Sequence, residues 1–371
     1  MGTQLSRRKF LEIIGLTGLG AGGMAALAGC TTKVTPAAPS AAAIRAATTP
    51  ASAATATAMA GMAMHQSSSD QSGGSADQMT PDQMDQSDAD KIKQFLANMQ
   101  SPITQGKGGL PLQYELDGDV KVFKLTTSAI KWETEPGKWQ DAFAYNGMVP
   151  GPEIRVTEGD KVRVILTNNL PESTTIHFHG LTIPNPMDGV GNITQPPVKP
   201  GQTFVYEFVA RPRGTHMYHS HIHSFPQVTK GLLGPFIIEP KDKSSYPKYD
   251  REYTLVLNDT VLGFTLNGKS FPATEALTAK QGERILIRYM NEGTMSHPMH
   301  LHGMPMLVYA VDGYPLPQPY YCDTLEVAPG NRYEVFVDAT EKGVWAFHCH
   351  ILTHAEGPDA MFGMVTALVV T

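Results

Sequence analysis

From Tyr114 onward, β-branched and other apolar residues come in short alternating or continuous runs, interrupted by Gly, Pro, Asn and Asp about every eight to twelve residues. Runs of this kind are strands, because successive side chains face opposite sides of a sheet and one side is buried. The clearest are 120–125, 161–166, 203–209, 234–238, 253–257, 284–289, 333–337 and 365–370. Their spacing predicts an all-β fold of two sandwiches, 115–245 and 250–371, joined across the polar stretch 241–245. The halves also echo each other. Glu158-Gly159-Asp160-Lys161-Val162 is matched by Gln281-Gly282-Glu283-Arg284-Ile285, and Val198-Lys199-Pro200-Gly201 by Val327-Ala328-Pro329-Gly330, as in a duplicated module.

The pattern before Tyr114 is different. Residues 30–90 are mostly Ala, Thr, Ser, Gln, Asp and Pro. Such a stretch buries too little apolar surface to offset the entropy of ordering, so it reads as a disordered tether. Residues 91–114 read as a lead-in, with a helical turn or two at 91–100. The tether carries Met59, Met62, Met64, His65, Met79 and Met84. Thioethers suit Cu(I), so copper collection and a plain low-complexity linker are both open readings.

Residues 12–29 are apolar and glycine-rich, too short for a membrane-spanning helix, and follow Arg7-Arg8-Lys9-Phe10-Leu11. The arrangement resembles a twin-arginine export signal. Leu27-Ala28-Gly29-Cys30 resembles a lipobox, in which Cys30 would carry a lipid anchor to a membrane. Residues 1–29 are accordingly expected to be removed, leaving an extracytoplasmic protein.

The 371 residues carry a formal charge of −6 with 41% hydrophobic residues. This excludes a wholly disordered chain and gives no basic surface for nucleic acid, so no nucleic-acid partner is expected. Three cysteines are too few for a disulfide framework.

The 13 histidines change the picture most, because 12 lie between His177 and His354 in tight groups. Ten of them form His177-Phe178-His179, His219-Ser220-His221, His297-Pro298-Met299-His300-Leu301-His302 and His348-Cys349-His350, with His354 four residues on; His216 and His223 flank the second group. On a strand each His-x-His pair sends both imidazoles to one face. Two pairs from each sandwich therefore suit one multi-metal site. Cys349 faces away from His348 and His350, so its thiolate would serve a different metal, with His297, His354 and a soft axial donor as partners. That is the donor set of a blue-copper site.

These four motifs, in this order, resemble those of the multicopper oxidases, as do residues 145–152 and 214–221. Having two domains, the chain is most similar to the small, two-domain laccases. The resemblance implies cupredoxin-like Greek-key sandwiches and four coppers per functional unit, with O2 reduced to water at the expense of a small one-electron donor. His177 and His300 would hold a type 2 copper, and His179, His219, His221, His302, His348 and His350 a type 3 pair. His297, Cys349 and His354 would hold type 1, with Met361 axial and Met364 as the alternative. It further implies that the cluster forms between subunits of a homotrimer.

Asp188 occupies the place of the family's proton-delivering carboxylate. Where a second acid often stands this chain has Leu352, with Glu356 as a substitute. Ser220 stands where a type 1 cysteine of the first domain would be, which confines type 1 to the second domain. Cys322 reads as a small buried hydrophobe, and His216 and His223 stay unassigned. Phenols, aromatic amines and metal ions such as Cu(I) are all open as donors. Copper nitrite reduction is the rival chemistry, although that family carries its blue copper in the first domain; a copper-free scaffold or copper-binding protein is the rival without catalysis.

Overall fold

The computed structural model describes residues 79–244 and 246–371. The export signal, Cys30 and the methionines at 59–64 lie outside them.

The first described element corrects an expectation. Helix α1 (Pro81–Asn98) is one continuous helix that starts ten residues inside the stretch read as a disordered tether. Its start is encoded locally: Thr80 caps the backbone N–H of Gln83, the Gln83 side chain returns the bond to the Thr80 backbone, and Pro81 fills the first turn. Its apolar content is low, but Phe95 is buried against Phe271 with ring centroids 5.3 Å apart. Tertiary contact thus stabilises a helix that composition alone does not.

The first sandwich comprises β1 (Glu115–Asp117), β2 (Val120–Glu135), β3 (Lys138–Tyr145), β4 (Ile154–Thr157), β5 (Lys161–Asn168), β6 (His177–His179), β7 (Thr203–Val209), β8 (Gly214–His219), helix α2 (Ser224–Thr229) and β9 (Leu233–Glu239). One sheet has the order β1-β2-β5-β7 with β3 paired to β2, and the other β4-β9-β8-β6. The second sandwich comprises β10 (Arg251–Asn258), β11 (Thr265–Leu266), β12 (Leu277–Ala279), β13 (Arg284–Asn291), β14 (His297–Leu301), β15 (Met306–Val311), β16 (Tyr314–Cys322), β17 (Thr324–Val327), β18 (Arg332–Asp338), β19 (Gly343–Cys349) and β20 (Val365–Val370). Its sheets run β11-β10-β13-β18-β15-β16 and β12-β20-β19-β14-β17.

The internal repeat is visible in the pairing. Parallel β2/β5 and antiparallel β5/β7 recur as β10/β13 and β13/β18, and β4-β9-β8-β6 recurs as β12-β20-β19-β14. All eight runs read as strands from the sequence fall inside strands. What pattern reading missed was continuity: β2 extends through Glu135 and pairs with β3.

The sandwiches pack on each other through Met217, Leu233 and Ile237 from the first and Val256 and Met290 from the second. Beside this apolar patch Arg288, 2% exposed at its side chain, donates to Thr215 of the first sandwich and pairs with Glu252 and Glu334. Burying that guanidinium is tolerable only because its donors are met by carboxylates and a hydroxyl.

Candidate metal centre

Strand parity assembles the histidines of each sandwich into a quartet of its own, two quartets in all, with one mixed pocket beside the second. In the first quartet, β6 and β8 place His177 opposite His219. The His177 ring centroid is 5.6 Å from His179 and 5.3 Å from both His219 and His221. In the second, β14 and β19 place His300 opposite His348. There His300 lies 4.7 Å from His302, 5.7 Å from His348 and 5.4 Å from His350, centroid to centroid.

Each quartet is oriented by backbone carbonyls. The His177 Nδ1–H donates to the Asp188 carbonyl at 2.8 Å and the His300 Nδ1–H to the Asp323 carbonyl at 2.9 Å. His219 and His348 each donate from Nδ1 to the carbonyl of the next residue at 3.0 Å. These bonds fix the tautomer and leave the Nε2 lone pairs directed into the group, as metal ligands require. Asp188 also brings Oδ1 to 3.3 Å from His177 Nδ1. Its loop approaches β6 closely because Gly189 follows, at φ +81°, where an added Cβ would meet the Ile176 carbonyl at 1.7 Å.

The quartets differ in their surroundings. Burial lowers the His177 pKa and pushes His179 down to about 3 and His219 to about 4, while Arg332, reaching over from β18, opposes the charged form of His179 and His219 as well. In the second quartet His302 and His350 are exposed. Among the described residues every ring contact of a quartet histidine is to a member of its own quartet.

The mixed pocket lies on the opposite face of β19. His297 Nδ1 is 3.2 Å from His354 Nδ1, and Cys349 Sγ is 3.9 Å from the former and 3.6 Å from the latter. His297 and Cys349 are fully buried and His354 nearly so. Two imidazole nitrogens facing each other over a buried thiol, whose pKa burial pushes up to about 11 without a metal, form a set that a soft cation would satisfy. Two nitrogens and one sulfur fit copper. Phe264 stacks on His354 with a centroid separation of 4.0 Å.

Asp259, which sequence reading missed, holds His297 from behind. It accepts from His297 Nε2 at 3.1 Å and from the Thr294 and Met295 backbone at 2.8 and 3.0 Å. Burial works against its charge, but these bonds outweigh that cost and keep its pKa below the usual carboxylate value. It lies 38 positions before His297 with no motif around it, so only the fold could reveal it.

Met361 and Met364 are placed differently. Met364 is buried in the same core as Cys349 and accepts the Cys349 backbone N–H at 3.0 Å; Met361 packs with Phe95, Phe271 and Ala355 in the turn that returns from His354. Glu356 is exposed in that turn. His216 is fully buried, donates to the Pro212 carbonyl at 2.8 Å and has its pKa pushed down to about 4, first by burial. His223 is exposed, in left-handed backbone just before α2. Cys322 is a half-buried free thiol packed against the second core.

Two sandwiches of this topology, with a Cys-His-His pocket behind a His-x-His strand, define a copper-binding cupredoxin protein. Residues 126–243 and 246–370 each match the multicopper oxidase family. The crystal structure of the blue copper oxidase from Nitrosomonas europaea is 32% identical with a TM-score of 0.63, covering 67% of this chain and 85% of that one. The chain belongs to the multicopper oxidase family. Copper resistance protein A of Pseudomonas syringae pv. tomato is 27% identical over 276 residues, 57% of this chain and 45% of that protein. The chain thus spans about half the length of the curated relatives it matches. The copper nitrite reductase of Nitrosomonas europaea shares the fold at 26% identity and a TM-score of 0.59, covering 67% of this chain and 93% of that one.

Proposed function

We propose that the protein is a laccase-like oxidase that couples four one-electron oxidations of a phenol, an aromatic amine or a metal ion such as Cu(I) to the reduction of O2 to water. The observation that carries this reading is the sharing of β19 between two sites: His348 and His350 face one quartet while Cys349, between them, faces the other pocket. Bound copper would supply one-electron storage at that pocket and O2 reduction at the quartets.

The chain's residues would divide the work as follows. His297, Cys349 and His354 would hold the type 1 ion, with Met361 as the thioether donor. His177 and His300 hold type 2; His179, His219, His221, His302, His348 and His350 hold the type 3 pair. The peptide bonds on either side of Cys349 join the two sites by the shortest covalent route available. Asp188, within reach of His177, is placed to hand on protons, which O2 reduction consumes in equal number to electrons. His354 is buried under the stacked Phe264 ring, so a donor would pass its electron to His354 across that ring.

Each quartet offers four histidines, half of what a three-copper cluster needs, with those of the second quartet the more exposed. A homotrimer that closes the first quartet of one subunit on the second quartet of the next completes it. Export by the twin-arginine route and lipid anchoring at Cys30 would place the assembly outside the cytoplasm.

The test is copper loading followed by visible and EPR spectra, then O2 uptake with each donor class. Blue type 1 and type 2 signals, with one O2 consumed for four donor oxidations, support the oxidase. Nitrite turnover without O2 uptake overturns it. Sedimentation of the loaded protein as a monomer that retains type 3 copper overturns the trimer.

A further inference from the structure

We propose that helix α1, which lies before the region matched by the family, positions the axial side of the copper pocket by holding the peptide of Met361. The proposal rests on the reading of Met361 as the axial donor.

Asp88 and Lys91 lie one turn apart on the face of α1 that carries Phe95 and Asn98. The backbone N–H of Met361 donates to Asp88 Oδ1 at 2.7 Å, and Lys91 Nζ donates to the Met361 carbonyl at 2.7 Å. Both polar backbone groups of one residue are therefore bound by side chains of the same helix. The helix is itself seated on the two segments that flank the turn. Phe95 packs on Phe271, whose N–H bonds the Gly363 carbonyl at 2.9 Å. Asn98 donates to the Thr274 carbonyl at 2.9 Å, and Thr274 in turn donates to the Val365 carbonyl at 2.6 Å.

A residue held at both N–H and C=O cannot swing its Cα–Cβ direction without breaking a hydrogen bond. This matters most for a long, weak axial bond, whose length is set by the protein around it and which tunes the potential of the site. The cap at Thr80 and Gln83 and the proline at 81 fix where the helix starts, and with it the register of Asp88 and Lys91 against the turn.

The test uses the full-length, copper-loaded protein. Asp88→Ala with Lys91→Ala removes both bonds and leaves net charge unchanged, so an electrostatic shift of the potential is minimised. The expected result is a changed ratio of the Cu–thiolate absorption bands and a several-fold change in the type 1 equilibrium with a redox mediator, with the type 2 EPR signal unaltered. Asp88→Asn, which keeps an acceptor, should restore the wild-type spectrum beside Asp88→Ala. A double variant with wild-type spectrum and potential, whatever its melting temperature, overturns the proposal; Lys91→Met serves the same purpose should the double variant not fold. Met361→Leu separates the two failures. If it leaves the spectrum unchanged, the axial reading itself falls; if it shifts the spectrum while the helix variants do not, only the positioning role falls.

Discussion

The second sandwich has a pocket of two imidazoles and a thiol, the first has its counterpart without them, and the strand registers of the two correspond position by position. Pairing of His177 with His219 and of His300 with His348 puts Ser220 at the place of Cys349 and Thr174 at the place of His297. In the first sandwich Thr174 Oγ1 lies 3.3 Å from Ser220 Oγ and donates to Gln227 Oε1 at 2.8 Å, while Ser220 also bonds Gln227. All three are fully buried. The same strand geometry thus holds a closed set of hydrogen bonds in one domain and a set of converging nitrogen and sulfur ligand atoms in the other. The scaffold does not depend on those donors: at the two matching positions the first domain has hydroxyls that bond each other and Gln227.

The sharpest way to break the comparison is to make the second pocket like the first. Cys349→Ser should abolish the blue absorption completely and with it donor oxidation, while type 2 copper still appears by EPR, because a neutral hydroxyl cannot replace a thiolate. A persisting blue band would refute the pocket's assignment. The converse change, Gln227→Leu, takes from the buried Thr174 and Ser220 hydroxyls the acceptor they share, leaving them only each other and the Ile222 carbonyl, and also removes bonds from Gln227 Nε2 to Glu172 and the Ser173 carbonyl. It should cost on the order of 3 kcal/mol or more by denaturant unfolding, with or without copper. An unchanged midpoint would mean that the triad is not what fills that space.

The quartets invite a comparison of their own. His179, His216 and His219 of the first sandwich are held neutral, down to about pH 3, 4 and 4, whereas an unfolded chain protonates them near its ordinary value of about 6.5. Their folded pKa values are depressed, so stability is fully present above pH ~6.5 and declines as the pH falls below it, where the unfolded state takes up protons first. For His216, not proposed as a ligand, this is on the order of 3 kcal/mol at pH 4. Chemical unfolding of the copper-free protein between pH 7 and 4 should show the decline, and His216→Gln should flatten it; a pH-independent midpoint would contradict the burial argument.

The grouping of the histidines was legible in the sequence because alternation on a strand is rigid. A His-x-His pair can only face one way, and Cys349 between two histidines can only face the other. The sandwiches were legible for the same reason. Of helix α1 only the part from residue 91 was, because 81–90 are polar in composition and the stability of the helix comes from Phe95, Asp88 and Lys91 meeting residues some 180 to 270 positions away. Thr174, Gln227 and Asp259 were hidden likewise: their neighbours are set by topology, and a polar or acidic residue is unremarkable in a loop or a short helix.

Asp259 supplies the smallest change that should still be measurable, and it discriminates between the pockets because nothing equivalent bears on Thr174. A carboxylate that accepts the Nε2 proton of His297 makes the opposite nitrogen a stronger donor and adds negative charge beside the ion, both of which favour the oxidised form. Asp259→Asn keeps the shape and removes the charge. The type 1 potential should therefore rise, by about 60 mV if the redox equilibrium changes tenfold, with the blue band retained because His297, Cys349 and His354 remain. An unchanged potential would show that the Asp259 charge is neutralised within its own cluster of Thr294 and Met295 donors before it reaches the pocket; a lowered one would reverse the sign of the argument.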